Sequence, residues 1–326
     1  MKKHLNSRYS HSVFGMNALM IAGLGMVIAF TGCSVKKVAL GKVADALSGG
    51  GGNVFASDND PELVADALPF ALKTYESLLA TLPNDADLLV ATGKAFCMYS
   101  YAFVHMPSDT LPDKKLGKRL AGLKRAKKLY LRGRDYLLRA CEVRYPGFRD
   151  LLDGRQTDKA LAMTEERDTT MLYWTAASWM GAFTTDKFDM KLAVDMGKPV
   201  AMMERVLELN ESYGQGSAHE FFISYYGSLP PSMGGSDDKA REHFERAVEL
   251  SEGHKVGPYL SLATSVAVSN QNVTEYRSLL KKALAVDVDK HPSNRLANII
   301  GQRKAKWLLK NIEDFFLLDE THSEEE

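Results

Sequence analysis

The sequence predicts an all-α protein, a TPR-like solenoid of helical hairpins finished by a C-terminal capping helix. Two observations point there. From Pro61 onward apolar residues recur at helical spacing, with no convincing alternating strand. Breaks fall at Pro83, Pro107 to Pro112, Pro146-Gly147, Gly214 to Gly216, Pro230-Pro231 and His291-Pro292, which cut the chain into helix-length pieces.

The second observation is a repeat: a small or flat residue, a bulky apolar one four later, then an Ala or its equivalent three beyond. It occurs at Ala71-Tyr75-Leu78, Gly133-Leu137-Ala140, Pro199-Met203-Val206, Ala240-Phe244-Ala247 and Tyr276-Leu280-Ala283. This is how the second helix of a tetratricopeptide repeat lets its partner approach while a large side chain fills the gap below the next pair. First-helix patterns stand at Leu89-Thr92-Gly93-Phe96, Leu172-Thr175-Ala176-Trp179 and Tyr259-Leu262-Ala263-Val266. The repeat starts are 62, 66, 41 and 36 residues apart, so the first two intervals hold insertions, at Met106 to Gly122 and Gly147 to Arg167. A generic helical bundle is the competing reading of the same spacings. The helix expected over Ser293 to Ile312 carries Leu296, Ile299, Ile300, Trp307, Leu308 and Leu309 and would cap the open end.

The N-terminus carries different information. Met1 to His11 is basic, Val13 to Phe30 is almost wholly apolar, and Phe30-Thr31-Gly32-Cys33 ends the segment. This layout is that of a secretory signal. Cys33 after small Thr31-Gly32 resembles a bacterial lipobox, although Phe30 departs from the usual Leu or Val. The reading is therefore a signal peptide over 1–32, a lipidated Cys33 with a flexible tether over 33–57, a helical domain over 58–315 and an acidic tail over 316–326. Several acyl chains anchor far better than one, since each buried CH₂ contributes about 0.8 kcal/mol. The mature chain is expected at a membrane surface in an extracytoplasmic space. Ser34, where some bacteria use Asp for inner-membrane retention, favours the outer membrane.

Composition narrows the function. Lys plus Arg and Asp plus Glu are equal at 41, and removing residues 1–32 leaves 38 basic against 41 acidic residues, so nucleic acid is not an expected partner. Cys97 and Cys141 make no disulfide framework and read as buried free thiols. The six histidines beyond the signal, His105, His219, His243, His254, His291 and His322, contain no H-E-x-x-H spacing, and no metal or other cofactor is expected. Gly49 to Gly52 lacks the Lys-Ser or Lys-Thr of a P-loop. Ser217 is not in a nucleophile elbow, and Ser278/Lys281 lacks the companion motifs of penicillin-binding enzymes. Asn210-Glu-Ser212 and Asn272-Val-Thr274 fit a glycosylation sequon that a bacterial lipobox makes irrelevant. The chain reads as a non-enzyme.

Three features are left for binding. Tyr173, Trp174, Trp179 and Phe183 form one aromatic cluster and Phe221, Phe222, Tyr225 and Tyr226 another, and neither can bury every ring in one core face. Tyr173, Trp174, Trp179, Phe222 and Tyr226 are the candidate walls of a ligand cleft, with His219 as its polar contact. Core packing and a structural histidine are the plainer readings of each. Ten basic residues without an acid lie between Lys114 and Arg134, a strip that could meet anionic lipid or simply be solvated.

The segments Ala67 to Lys73 (ALPFALK), Tyr225 to Gly235 (YYGSLPPSMGG) and Arg295 to Leu309 (RLANIIGQRKAKWLL) resemble the TatT family, the T component associated with TRAP transporters. The likeness covers about residues 55 to 312. It implies a periplasmic lipoprotein of TPR-like helices that forms a homotrimer, has a pore through each subunit and docks the transporter's solute-binding P component. It also implies a small hydrophobic or organic-acid ligand, and it supplies no ligand-contact motif transferable residue by residue. A TPR scaffold for envelope assembly, with no small-molecule ligand, is the alternative.

Overall fold

The computed structural model describes residues 51–317. The signal peptide, Cys33 and most of the tether and acidic tail lie outside the described residues. Every regular element among them is helical, and the all-α prediction holds. No helix of the described part is long and apolar enough to cross a membrane.

The first helices start as their sequences dictate. Helix α1 (Gly51–Ala56) occupies residues expected to belong to the tether, and contacts the C-terminal helix instead of trailing free. Helix α2 (Pro61–Thr81) has Pro at its first position and Asp60 as N-cap, whose carboxylate accepts from the Leu63 N–H at 3.0 Å. Helix α3 (Ala86–Ser100) is capped in the same way by Asp85, which accepts from Leu88 N at 3.0 Å. It runs into a π-helical turn, Tyr101–His105, and a short helix α4 (Met106–Asp109).

The long helix α5 (Leu116–Arg144) returns along α3. The two backbones approach where glycines face each other: a Cβ on Gly93 would lie 2.4 Å from Leu137 Cγ and 2.7 Å from the Gly133 carbonyl oxygen. The small residues of the repeat pattern are thus contact points. Two short helices, α6 (Phe148–Asp153) and α7 (Thr157–Ala162), fill the second insertion. Phe148, Leu152, Ala160 and Leu161 of that insertion are buried in the core. Its end is fastened by Asp168, which is fully buried and accepts from Arg144, Tyr145 and the Glu165 N–H.

Three further pairs follow. Helix α8 (Thr169–Thr184), after which comes the short α9 (Met190–Val194), packs on α10 (Gly197–Asn210). Helix α11 (Ser217–Ser228) packs on α12 (Asp237–Leu250). Helix α13 (Gly257–Leu262), extended by a π-helical turn Ala263–Ala267, packs on α14 (Val273–Ala285). Neighbouring pairs touch in chain order, α5 against α8, α10 against α11 and α11 against α13.

The last helix, α15 (Arg295–Lys310), packs on the final pair and also reaches the first helices. At about 100° per residue, Leu296, Ile300 and Arg303 share one face, while Gly301, Ala305 and Leu308 lie on the opposite side. Leu296 and Ile300 are buried in the same apolar cluster as Val64 and Leu68 of α2. Ala305 and Leu308 belong to the other cluster, with Leu279 and Leu280 of α14. The succession of helices therefore closes on itself. Arg303 pairs with Glu62, and Arg295 Nη1 donates to the Ser57 carbonyl at 2.9 Å, both from the first helices to the last. Buried Asn298 holds the other flank, accepting from Val256 N at 3.0 Å and donating to the His254 carbonyl at 2.9 Å.

Two stability results follow. Leu296→Ala is expected to cost about 2–5 kcal/mol through lost burial and a residual cavity, whereas Arg303→Ala, which removes an exposed pair, costs at most about 1 kcal/mol. Chemical denaturation of the two variants checks the contrast. Gly93→Ala is expected to lose about 1–3 kcal/mol by overpacking, despite alanine's better helix propensity, measured by the shift in midpoint.

Candidate functional site

The six residues singled out in the sequence do not form one cleft. They fall at three places, for a reason of helical geometry. On α11, Ser217, Glu220 and Phe221 project on one side, whereas His219, Phe222 and Tyr226 project on the other at about 100° per residue. On α8, Trp179 lies five residues beyond Trp174 and looks away from it.

Trp179 is a core residue. It is buried, with the Arg134 guanidinium 5.0 Å and the Lys198 ammonium 5.7 Å from its ring centroid. It does not face Tyr173 or Trp174.

The second place lies between α11 and α12. Phe222 stacks on His243 at a centroid distance of 5.0 Å, and Tyr226 stacks on the same imidazole at 5.6 Å. Buried His219 touches His243 through their Nδ1 atoms at 2.7 Å, and its Nε2 lies 3.1 Å from Glu211. One tautomer pair satisfies both contacts: His219 donates from Nε2 to Glu211, and His243 donates from Nδ1 to His219. Glu211 is gripped by the Arg246 guanidinium at 2.7 and 2.8 Å, and this pair, helped by His219, holds its carboxyl down at about 2. Burial, the neighbouring His219 and Lys239 hold His243 down at about 4, and burial likewise lowers His219 against the pull of Glu211. His243 was not among the sequence candidates. Its signal was there only in part, since it stands one residue before Phe244 of the fourth repeat pattern.

The third place has the features of a binding surface. Tyr173 and Trp174 are both half-buried and meet edge to face at 5.3 Å, and Tyr213, from the turn after α10, meets Tyr173 at 5.2 Å. Protein surrounds these rings so closely that burial pushes the Tyr173 hydroxyl far above the usual tyrosine range. Glu220 nearby adds to that shift and Ser217 opposes it. Burial also raises Tyr213, whose hydroxyl feels Thr170 and Trp174. The Trp174 indole nitrogen is buried beside the Tyr213 hydroxyl, and Lys94 of α3 reaches over the same ring, its Nζ 5.7 Å from the centroid. Lys255 closes the neighbouring edge, bonded to Ser217 Oγ at 3.0 Å and to Glu220 at 3.1 Å. Tyr213 and Lys94 escaped sequence reasoning because neither sits inside an aromatic run; only the fold brings them to Trp174.

The remaining features read plainly. Cys97 and Cys141 are buried free thiols whose pKa burial pushes up to about 12, so neither is a nucleophile at neutral pH. Four of the ten basic residues of the strip pair with acids, Arg119 with Asp113, Lys127 with Asp186 and Asp189, Arg132 with Glu76 and Arg134 with Asp135, while Leu116 and Leu120 at its start are exposed.

The histidine pair carries a pH dependence whose sign is fixed. His243 titrates lower folded than unfolded, so its neutral form's contribution is complete above about 6.5 and is lost as the pH falls toward 4. Between pH 7.5 and 5 the wild type is expected to lose thermal stability with a slope of up to about 1.4 kcal/mol per pH unit for this proton. His243→Phe keeps the stack and should flatten that slope; identical melting shifts in the two proteins would refute the assignment.

Comparison with known proteins adds what geometry cannot. A protein of Treponema pallidum (strain Nichols), described only as uncharacterised, is 31% identical over 302 residues, a match that covers 88% of this chain and 94% of that one. Residues 57–316, nearly the whole described part, match the family described as the TRAP transporter T-component, and the chain belongs to that family.

Proposed function

We propose that this chain is a lipid-anchored periplasmic component of a TRAP-type transporter, which binds the solute-binding P subunit and holds a small apolar or organic-acid ligand among its helices. Membership of the family already makes it a transporter-associated component and not a member of an enzyme family. The finer reading rests on one observation above all: Tyr173, Trp174 and Tyr213 are half-buried rings packed round one another, with Lys94 over the indole. Aromatic walls with a few polar groups are what a small-molecule site needs. Phe222, Tyr226 and His219 take a supporting place in this reading, one helix face away, and Trp179 anchors α8 behind them.

The pairing of helices in chain order favours a TPR-like description of the hairpins, and their closure by α15 favours a channel through the subunit over an open concave face. Cys33 supplies the anchor, with the outer membrane as its home. Exposed Phe70, Phe188, Met190 and Val194 offer apolar surface for a homotrimer or for the P subunit.

The test is gentle solubilisation of the mature protein from its native membrane, followed by mass spectrometry of co-purifying proteins and small molecules. A TRAP solute-binding protein is the expected partner; recovery of envelope-assembly proteins alone would move the assignment to a scaffold. Any co-purified small molecule is expected to fall at least about tenfold in Trp174→Ala, the equivalent of roughly 1.4 kcal/mol, while the protein partner is retained.

A further inference from the structure

Two histidines stand apart from the others. Among the described residues His105, His219 and His243 each have a hydrogen-bond partner, whereas neither the His254 nor the His291 imidazole has one. These two half-buried rings pack on each other instead, with centroids 4.5 Å apart and planes inclined by 42°. Each neutral ring keeps a nitrogen lone pair that no donor of the protein occupies.

Glu252 completes a group of three. Its carboxylate lies 4.0 Å from His254 Nε2, and one potential ligand atom from each of Glu252, His254 and His291 lies within 4.8 Å of the other two. No other set of three His, Cys, Asp or Glu side chains converges in this way among the described residues. Donors bound at about 2.0–2.2 Å to a tetrahedral ion stand about 3.3 Å apart, so the widest gap has to close by at most roughly 1.5 Å. Exposed Glu252 and two partly exposed rings can turn that far.

The backbone behind the three side chains is fixed from both sides. After α12 the turn is pinned by Gly253 N–H to the Val248 carbonyl at 2.9 Å and by His254 N–H to the Ser251 carbonyl at 2.8 Å. Asn298 of α15 then donates to the His254 carbonyl at 2.9 Å. His291, at the entry to α15, accepts at its own carbonyl from Asn294 N–H at 2.9 Å. The cations nearest in sequence are engaged elsewhere, Lys255 with Glu220 at 3.1 Å and Arg295 with Asp289 at 2.9 Å. No helical ligand spacing marks this group in the sequence, because two separate turns supply it.

We propose that Glu252, His254 and His291 form a binding site for a divalent transition-metal ion, zinc above all, with water at the fourth position. Two imidazoles and a carboxylate suit such an ion, whereas calcium and magnesium call for more oxygen donors than converge here. The bound ion ties the turn after α12 to the segment entering α15, beside the bonds of Asn298, and so reinforces the seam that the last helix makes. An ion that binds only the folded chain stabilises it. This staple is independent of any ligand held by the aromatic interior.

The experiment is calorimetric titration of zinc chloride into the full mature chain, stripped of metal by chelator and kept in detergent, with thermal melting alongside. One zinc per chain should bind and raise the melting temperature, and calcium should do neither. His254→Ala, His291→Ala and the near-isosteric Glu252→Gln should each weaken zinc at least about tenfold, and without metal they should melt as the wild type does. His322→Ala, in the C-terminal tail, should leave zinc binding unchanged. Absence of saturable zinc binding by the wild type, unchanged affinity in the three ligand variants, loss of binding in His322→Ala, or calcium bound as tightly as zinc would each overturn the site.

Discussion

The structure depends on the two-sidedness of α15. A stack of helical hairpins leaves one apolar face uncovered at each end, and the usual remedy is a polar capping repeat at both. Here one helix serves both ends, because its apolar residues lie on opposite sides and not along a single stripe. Leu296 and Ile300 complete the core begun by α2, and Ala305 and Leu308 complete the core that ends with α14. Buried Asn298, on the side of Gly301 and Ala305, bonds the backbone on either side of Lys255, so that this face carries polar specificity as well as apolar area.

Within this closed arrangement the packing relies on missing or small side chains. Gly93 and Gly133 bring α3 and α5 into backbone contact. Thr92 and Thr175, fully buried beside such contacts, return their hydroxyls to the carbonyls of Leu88 and Met171 at 2.6 Å each, which lets a polar residue occupy a core position without an unmet bond. The π-helical turns at Tyr101–His105 and Ala263–Ala267 each continue the first helix of a pair and shift its face late in its course.

The sequence made the secondary structure and the contact points legible, because spacing and residue size are local properties. Breaks at Pro83, Pro146 and Pro230 lie at or beside helix ends in the structure, and Asp85 and Ser236 cap the helices that follow two of them. What it could not disclose was closure. Leu296 and Leu308 both register as apolar positions on an amphipathic helix, and nothing local says that one meets α2 while the other meets α14. The same limit applied to the aromatic residues. Surplus ring area on α8 and α11 was readable, but the face to which each ring belonged depended on partners far away in sequence. Trp179 went to the core, Phe222 went to a histidine on α12, and Tyr173 and Trp174 turned toward Tyr213 and Lys94.

The placement of charge bears on what such a molecule can do. Acidic and basic groups are paired across helix seams, as in Arg241 with Glu275, Arg246 with Glu211 and Lys127 with Asp189, and the histidines at Glu211 are held neutral. The thiols are held protonated by burial. Groups locked in one protonation state and matched to internal partners are poorly placed to attack a substrate or to move its protons. The rings of Tyr173, Trp174 and Tyr213 stand apart from these pairs: they are half-buried and packed on one another, and the Lys94 ammonium over the indole has no acid beside it among the described residues, so the polar pairing that fixes the other seams gives way there to aromatic contact.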